Sequence, residues 1–267
     1  MAIYLLPIIR LNHQLRINKT SILRIIMEKY ILLQARNDND EMKIEELNSF
    51  ANRLDVTTNQ ITPINIFKDE LNLDLLQSHT ALLVGGSGEY SVLDNNVHIK
   101  RFIDFLGEVT ERSFPTFASC FGFQALTVAL GGKVIKDIPN AEVGTYDLYK
   151  TEDANNDPVF GKLPQKFAAQ LGHQDRASIL PESVQCLAYS DKAPFQALKV
   201  IGRPVYATQF HPELSYLENK QRFARYMDIY GKLFGEDKAR ERMDSHRPSE
   251  ESNQLLLSFR AYITELT

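Results

Sequence analysis

Short apolar runs of strand length alternate with segments of helical periodicity through the first half of the chain, and few folds accommodate that rhythm. Residues 30–35 form the first apolar run. The turn Asn37-Asp38-Asn39-Asp40 follows, with Asp40 placed to cap a helix running through Arg53. In that helix Ile44, Leu47, Ala51 and Leu54 recur at helical spacing. Residues 61–67 are a second β-rich run, and Pro63 marks it as an edge strand. Residues 80–84 are a third, buried run that stops at Gly85-Gly86-Ser87-Gly88. A helix beginning near His98 carries Ile99, Phe102, Ile103 and Leu106 on one face, and Pro115 opens a fourth strand that leads to Cys120.

Between Lys133 and Gln209 the pattern changes to short β-like runs at 134–135, 143–149, 167–170, 184–189, 195–200 and 205–209. Turn signals such as Asp157-Pro158, Leu163-Pro164 and Gly202-Arg203-Pro204 separate them, which predicts antiparallel pairing attached to one side of the main sheet. The expected fold is α/β: a mostly parallel central sheet flanked by helices on both faces, flavodoxin-like, with a small antiparallel β insertion. After Glu213 the spacing predicts one long amphipathic helix with Phe223, Tyr226, Met227, Tyr230 and Leu233 inward. Residues 237–251 are charged, lack apolar periodicity and read as exposed, and 255–263 read as a last docking helix.

The charge balance narrows the function classes. Thirty basic and thirty-four acidic residues leave a net charge of −4, so neither a nucleic acid nor a membrane surface is expected as partner. The two cysteines, Cys120 and Cys186, read as free thiols in a reducing, cytoplasmic compartment. No cluster has metal-ligand spacing, and no cofactor is implied. Residues 1–26 stand apart: they carry Arg10, Arg16, Lys19 and Arg24 and no acid. They read as a basic leader, poorly ordered, with a transit peptide or a surface-binding helix as the other readings. Residues 27–267 then form the remaining domain.

The chemistry concentrates at two places. Cys120 sits where an apolar strand turns abruptly into a helix, with Ala118 and Gly122 two residues to either side. A nucleophile elbow needs small neighbours at those positions, and the following helix aims its positive end at the thiol. A buried cysteine is more often inert, so the elbow alone decides nothing. His211, two residues before Glu213 at the end of another strand, is the matching base, its ring orientable by the carboxylate. The Gly85-Gly86 turn fits a phosphate loop poorly, because the Lys-Ser/Thr of a P-loop is missing, and fits either an oxyanion donor or an ordinary turn.

Taken together, Ala118-Ser119-Cys120-Phe121-Gly122-Phe123-Gln124, Gln209-Phe210-His211-Pro212-Glu213 and Gly85-Gly86 resemble the signature of the class I, triad-type glutamine amidotransferases. Glu142-Val143-Gly144 and Gly172-His173-Gln174-Asp175 with Leu180-Pro181 extend the likeness. It runs from about Tyr30 to Ile263, towards stand-alone proteins related to the glutaminase domain of GMP synthase. Two positions depart from the pattern: Ala118 replaces the elbow's first glycine, and Ser87 stands where many members carry proline.

The resemblance implies a Cys120–His211–Glu213 triad that releases ammonia from glutamine through a γ-glutamyl thioester. Gly86 and Phe121 are expected to form the oxyanion hole. Gln124 is expected to position the substrate, with His173 and Gln174 at its amino-acid end. No synthase domain follows, so a separate synthase subunit is an expected partner. The same triad would serve a γ-glutamyl peptide or conjugate hydrolase, and a non-catalytic regulatory protein on this scaffold is a further alternative. Activity is expected to fall on the acid side of neutrality, as His211 takes a proton. Cys186, with no base spaced near it, reads as a small core residue.

Overall fold

A computed structural model describes residues 28–266. The basic leader expected over residues 1–26 lies outside them. The chain builds β1 (Tyr30–Gln34), α1 (Met42–Leu54), β2 (Ile61–Asn65), β3 (Ala81–Val84), α2 (Val97–Glu111), β4 (Thr116–Ser119) and α3 (Phe121–Ala129). Then come β5 (Lys133–Lys136), β6 (Glu142–Lys150), β7 (Lys166–His173), β8 (Asp175–Ile179), β9 (Val184–Tyr189), β10 (Ala197–Val200) and β11 (Val205–Thr208). The C-terminal region forms α4 (Tyr216–Arg225), α5 (Met227–Phe234), α6 (Glu236–Asp244), α7 (Glu250–Asn253) and α8 (Leu255–Glu265).

Among the described residues one nine-stranded sheet runs β2-β1-β3-β4-β11-β10-β9-β6-β7. The first five strands are mutually parallel, and their order is that of a flavodoxin-like sheet. From β11 onward the pairing is antiparallel, so the expected insertion extends the main sheet at one side. A separate antiparallel pair joins β5 to β8. Pro63 lies on β2, an edge strand, where its missing N–H breaks no ladder.

Every residue of β1 is buried because both sheet faces are covered. Tyr30 and Leu32 face one layer, with Phe50 and Leu54 of α1 and Leu256, Phe259 and Ile263 of α8. Ile31 and Leu33 face the other, with Ile99, Phe102 and Leu106 of α2 and Phe123 and Leu126 of α3. Burying each such Leu, Ile or Phe contributes about 1.5–3 kcal/mol. The helix predicted through Arg53 is present, but its N-cap is Glu41, one residue after the expected Asp40, whose Oδ1 accepts from the Met42 N–H at 2.9 Å.

Three expectations change. Ile44, predicted inward, is 67% exposed, while Leu47, Ala51 and Leu54 carry the contact with the core. The single long helix after Glu213 is broken at Tyr226 into α4 and α5. The charged stretch 237–251 is not uniformly exposed. It contributes most of α6, which inserts Ala239 against Val143 and Phe223, and His246 and Ser249 are buried.

Candidate active site

The carboxyl ends of β3, β4 and β11 lie side by side, which is where open α/β sheets present their ligand crevices. Cys120 leaves β4 with φ 52° and ψ −98°, a left-handed backbone that costs a non-glycine residue roughly 1–3 kcal/mol. Two bonds hold it there: the Cys120 N–H donates to Thr208 O at 2.7 Å, and its carbonyl accepts from the Gln124 N–H at 3.0 Å. Gly122 is the small neighbour the turn demands. A Cβ there would stand 2.7 Å from Val84 Cγ1 and 3.0 Å from Ala118 Cβ. Phe121 opens α3, so no earlier helical carbonyl exists to accept its N–H.

His211 is seated by its own N–H, which donates to Gln170 O at 2.8 Å on β7. Its ring Nδ1 lies 2.6 Å from Glu213 Oε1, and both side chains are buried. Burial by itself would lower the imidazole pKa. The Glu213 carboxylate and the Cys120 sulfur outweigh it and hold the ring proton up to about 9. The reverse competition operates on Glu213, where burial raises the pKa and attraction to His211 lowers it further, leaving it below the usual carboxylate value. Attraction to the Glu213 carboxylate and to the Cys120 sulfur thus favours the protonated ring over the neutral one.

The glycine loop presses against the same ring. A Cβ on Gly86 would stand 2.8 Å from His211 Cε1, so only glycine lets β3 end there. Its N–H, however, does not face the sulfur. It donates at 3.1 Å to Oε1 of Glu46, a fully buried carboxylate on α1. Arg36 and Gln34 also donate to Glu46, at 2.9 and 3.0 Å. The expected oxyanion donor is thus occupied in this arrangement, because a buried charge collects every donor within reach.

Two expected substrate contacts are also engaged elsewhere. Gln124 Nε2 donates to Asp175 O at 2.8 Å and to Gln209 Oε1 at 3.3 Å. His173 Nδ1 meets Asp175 O at 3.1 Å and its Nε2 meets Glu142 Oε2 at 3.2 Å, so both ring nitrogens are spent inside the protein. Gln124, His173 and Gln174 nevertheless all line the same cavity as Cys120. Gln209, quoted in the motif without a role, donates from Nε2 to Cys120 Sγ at 3.7 Å. Its position two residues before His211 is the only sequence signal for it.

Cys120, Phe121, Gln124, His173, Gln174 and His211 line a cavity of about 300 Å³ whose walls also include Phe223, Tyr226 and Tyr230. Tyr226 touches the loop directly, since a Cβ on Gly88 would stand 2.5 Å from its hydroxyl. Cys186 is only partly buried, and desolvation pushes its thiol up to about 11. Among the described residues no group of three or more His, Cys, Asp or Glu side chains is placed to hold a metal ion. No described helix is long and apolar enough to cross a membrane.

Comparison with known proteins agrees with this architecture. A GMP synthase (glutamine-hydrolyzing) subunit of Pyrococcus abyssi is 32% identical over 126 residues, 47% of this chain and 63% of the relative. GMP synthase (glutamine-hydrolyzing) of Streptococcus mutans is 29% identical over 126 residues, 46% of this chain but 24% of the relative. The chain thus spans under two thirds of the length of these relatives. A glutamine amidotransferase from Thermotoga maritima superposes with a TM-score of 0.67 at 18% identity, covering 90% of this chain and 99% of that one. The sequence model described as Glutamine amidotransferase class-I matches residues 38–227, most of the described sheet and most of the cavity lining, and the chain belongs to that family.

Proposed function

We propose that the protein hydrolyses the γ-amide of glutamine through a thioester on Cys120, with His211 and Glu213 completing the triad. The observation that carries this is the 2.6 Å His211–Glu213 pair, set beside a cysteine held in a strained elbow. The anionic sulfur attacks the amide carbon and the carbonyl oxygen takes the charge. The imidazolium of His211 gives its proton to the amide nitrogen, the C–N bond breaks, and ammonia leaves. Water then attacks the thioester while His211 accepts its proton. The C–S bond breaks, glutamate departs and the ion pair is restored. The Phe121 N–H is the oxyanion donor available in the described arrangement. One such donor is worth roughly 3 kcal/mol in the transition state.

Gly86 joins it only if its peptide turns away from Glu46, and its membership of the oxyanion hole is part of the proposal. Gln124, His173 and Gln174, which line the cavity, remain substrate contacts in this reading. A separate synthase subunit that consumes the ammonia, and a cytoplasmic setting that keeps Cys120 reduced, complete it. The likeness to a GMP synthase subunit supports the former and the free thiols support the latter.

A second reading is favoured by the cavity of about 300 Å³, whose walls include Phe223, Tyr226 and Tyr230 as well as Cys120 and His211. That space suits a leaving amine larger than ammonia, as in a γ-glutamyl peptide or conjugate. Glutamate release from glutamine and from γ-glutamyl dipeptides, each with wild type and Cys120→Ser, tests both. Faster turnover of dipeptides selects the second. A folded wild type that turns over neither, and is not alkylated at Cys120, selects a non-catalytic role.

A further inference from the structure

We propose that Gln209 is a catalytic residue that donates a hydrogen bond to the Cys120 sulfur, and that Gln124 is its positioning residue. The inference rests on the reading of Cys120 as nucleophile.

Gln209 follows β11 directly and is fully buried, its N–H donating to Gln196 O at 2.8 Å. Its side-chain amide can point either way round, and the neighbours decide which. The carbonyl of Asp175 is only an acceptor, so it draws the Gln124 amide nitrogen, which donates to it at 2.8 Å. The same nitrogen donates at 3.3 Å to Gln209 Oε1. With that oxygen taken, Gln209 turns Nε2 toward Sγ, where it donates at 3.7 Å. A backbone carbonyl thus sets the direction of two successive amides, and the second ends on the reacting atom. Gln124, Gln209 and Cys120 are all buried, which strengthens the contact.

The sulfur then meets two groups from one strand end, the imidazolium of His211 and the amide of Gln209. The charged partner holds and later delivers the proton. The neutral donor stabilises anionic sulfur without adding a titrating group, and it fixes where the sulfur points. It also gives Gln124 a reason to be in the elbow motif other than substrate binding.

The test is the rate of Cys120 alkylation by iodoacetamide across pH, measured on wild type, Gln209→Met and Gln124→Met, with thermal melts to establish folding. Gln209→Met should slow alkylation at neutral pH about tenfold, as for loss of one hydrogen bond to a charged group. The deficit should close at alkaline pH, where the thiol ionises unaided. Gln124→Met should show a smaller deficit of the same shape, because the Gln209 amide can then turn over. A folded Gln209→Met with the wild-type profile overturns the proposal. A deficit equal at every pH also overturns it, because that is the mark of a displaced sulfur. If Gln209→Met does not fold, the profile of Gln124→Met decides in the same way. A wild type that resists alkylation removes the nucleophile itself, and the proposal falls with it.

Discussion

The Gly86 N–H donates to Glu46 Oε1 at 3.1 Å, tying the glycine loop to helix α1. Glu46 is fully buried and is also gripped by the Arg36 guanidinium at 2.9 Å. Burial would weaken the positive charge of Arg36, and the carboxylate more than compensates.

Removing that carboxylate should therefore harm the fold before it harms the chemistry. Glu46→Ala leaves Arg36 buried without its main partner and should cost about 3–5 kcal/mol in urea unfolding. Replacing both residues, as Arg36→Met with Glu46→Leu, should recover much of the loss. A double variant no more stable than Glu46→Ala would show that the pair is not what the site depends on.

The protonation of His211 sets an alkaline limb. Its proton is held up to about 9, so turnover of an amide should decline above that pH as the acid that protonates the leaving amine is lost. A γ-glutamyl ester, whose leaving group needs less protonation, should decline less. Stability follows the same sign. The folded pKa lies above the ordinary value of 6.5, so this contribution is complete below 6.5 and disappears as pH rises through about 9. Glu213 is shifted downward, so its contribution is present above 4.5 and disappears as pH falls through its lowered value. Melting temperature against pH, in wild type and His211→Gln, measures the first. Coincident alkaline limbs in the two proteins would contradict it.

Gly122→Ala should destabilise the elbow by roughly 1–3 kcal/mol, since its Cβ would enter the side chain of Val84 at 2.7 Å. Val84→Ala in the same chain should return most of that loss. Chemical denaturation of the single and double variants checks the compensation.

The two thiols should separate cleanly. Desolvation pushes Cys186 up to about 11, so limited iodoacetamide near neutral pH should modify Cys120 first. Peptide mapping by mass spectrometry reads the order. Preferential labelling of Cys186 would count against an activated Cys120.

What is legible in the sequence is local. The elbow is readable because Ala118 and Gly122 flank Cys120, and the His211–Glu213 pair because its members are two residues apart. The strands of the parallel half are readable because burial on both faces leaves continuous apolar runs such as residues 30–33. The partners that redirect the site are distant. Glu46 lies 40 residues from Gly86, Glu142 lies 31 from His173, and Gln209 lies 85 from Gln124. No spacing rule reports such meetings. Helix α6 escapes a periodicity reading because it anchors mainly through Ala239 and so carries no apolar stripe. The break at Tyr226 escapes it too, because the apolar spacing continues across the break into α5.

The contact between the Tyr226 hydroxyl and Gly88 has a mechanical consequence. Gly88 is two residues along from Gly86, with the phenol resting on it like a pawl on a ratchet tooth. Any side chain larger than glycine's at this position would have to displace the phenol at the junction of α4 and α5. The junction of α4 and α5 therefore sets how much room the loop after β3 has above it.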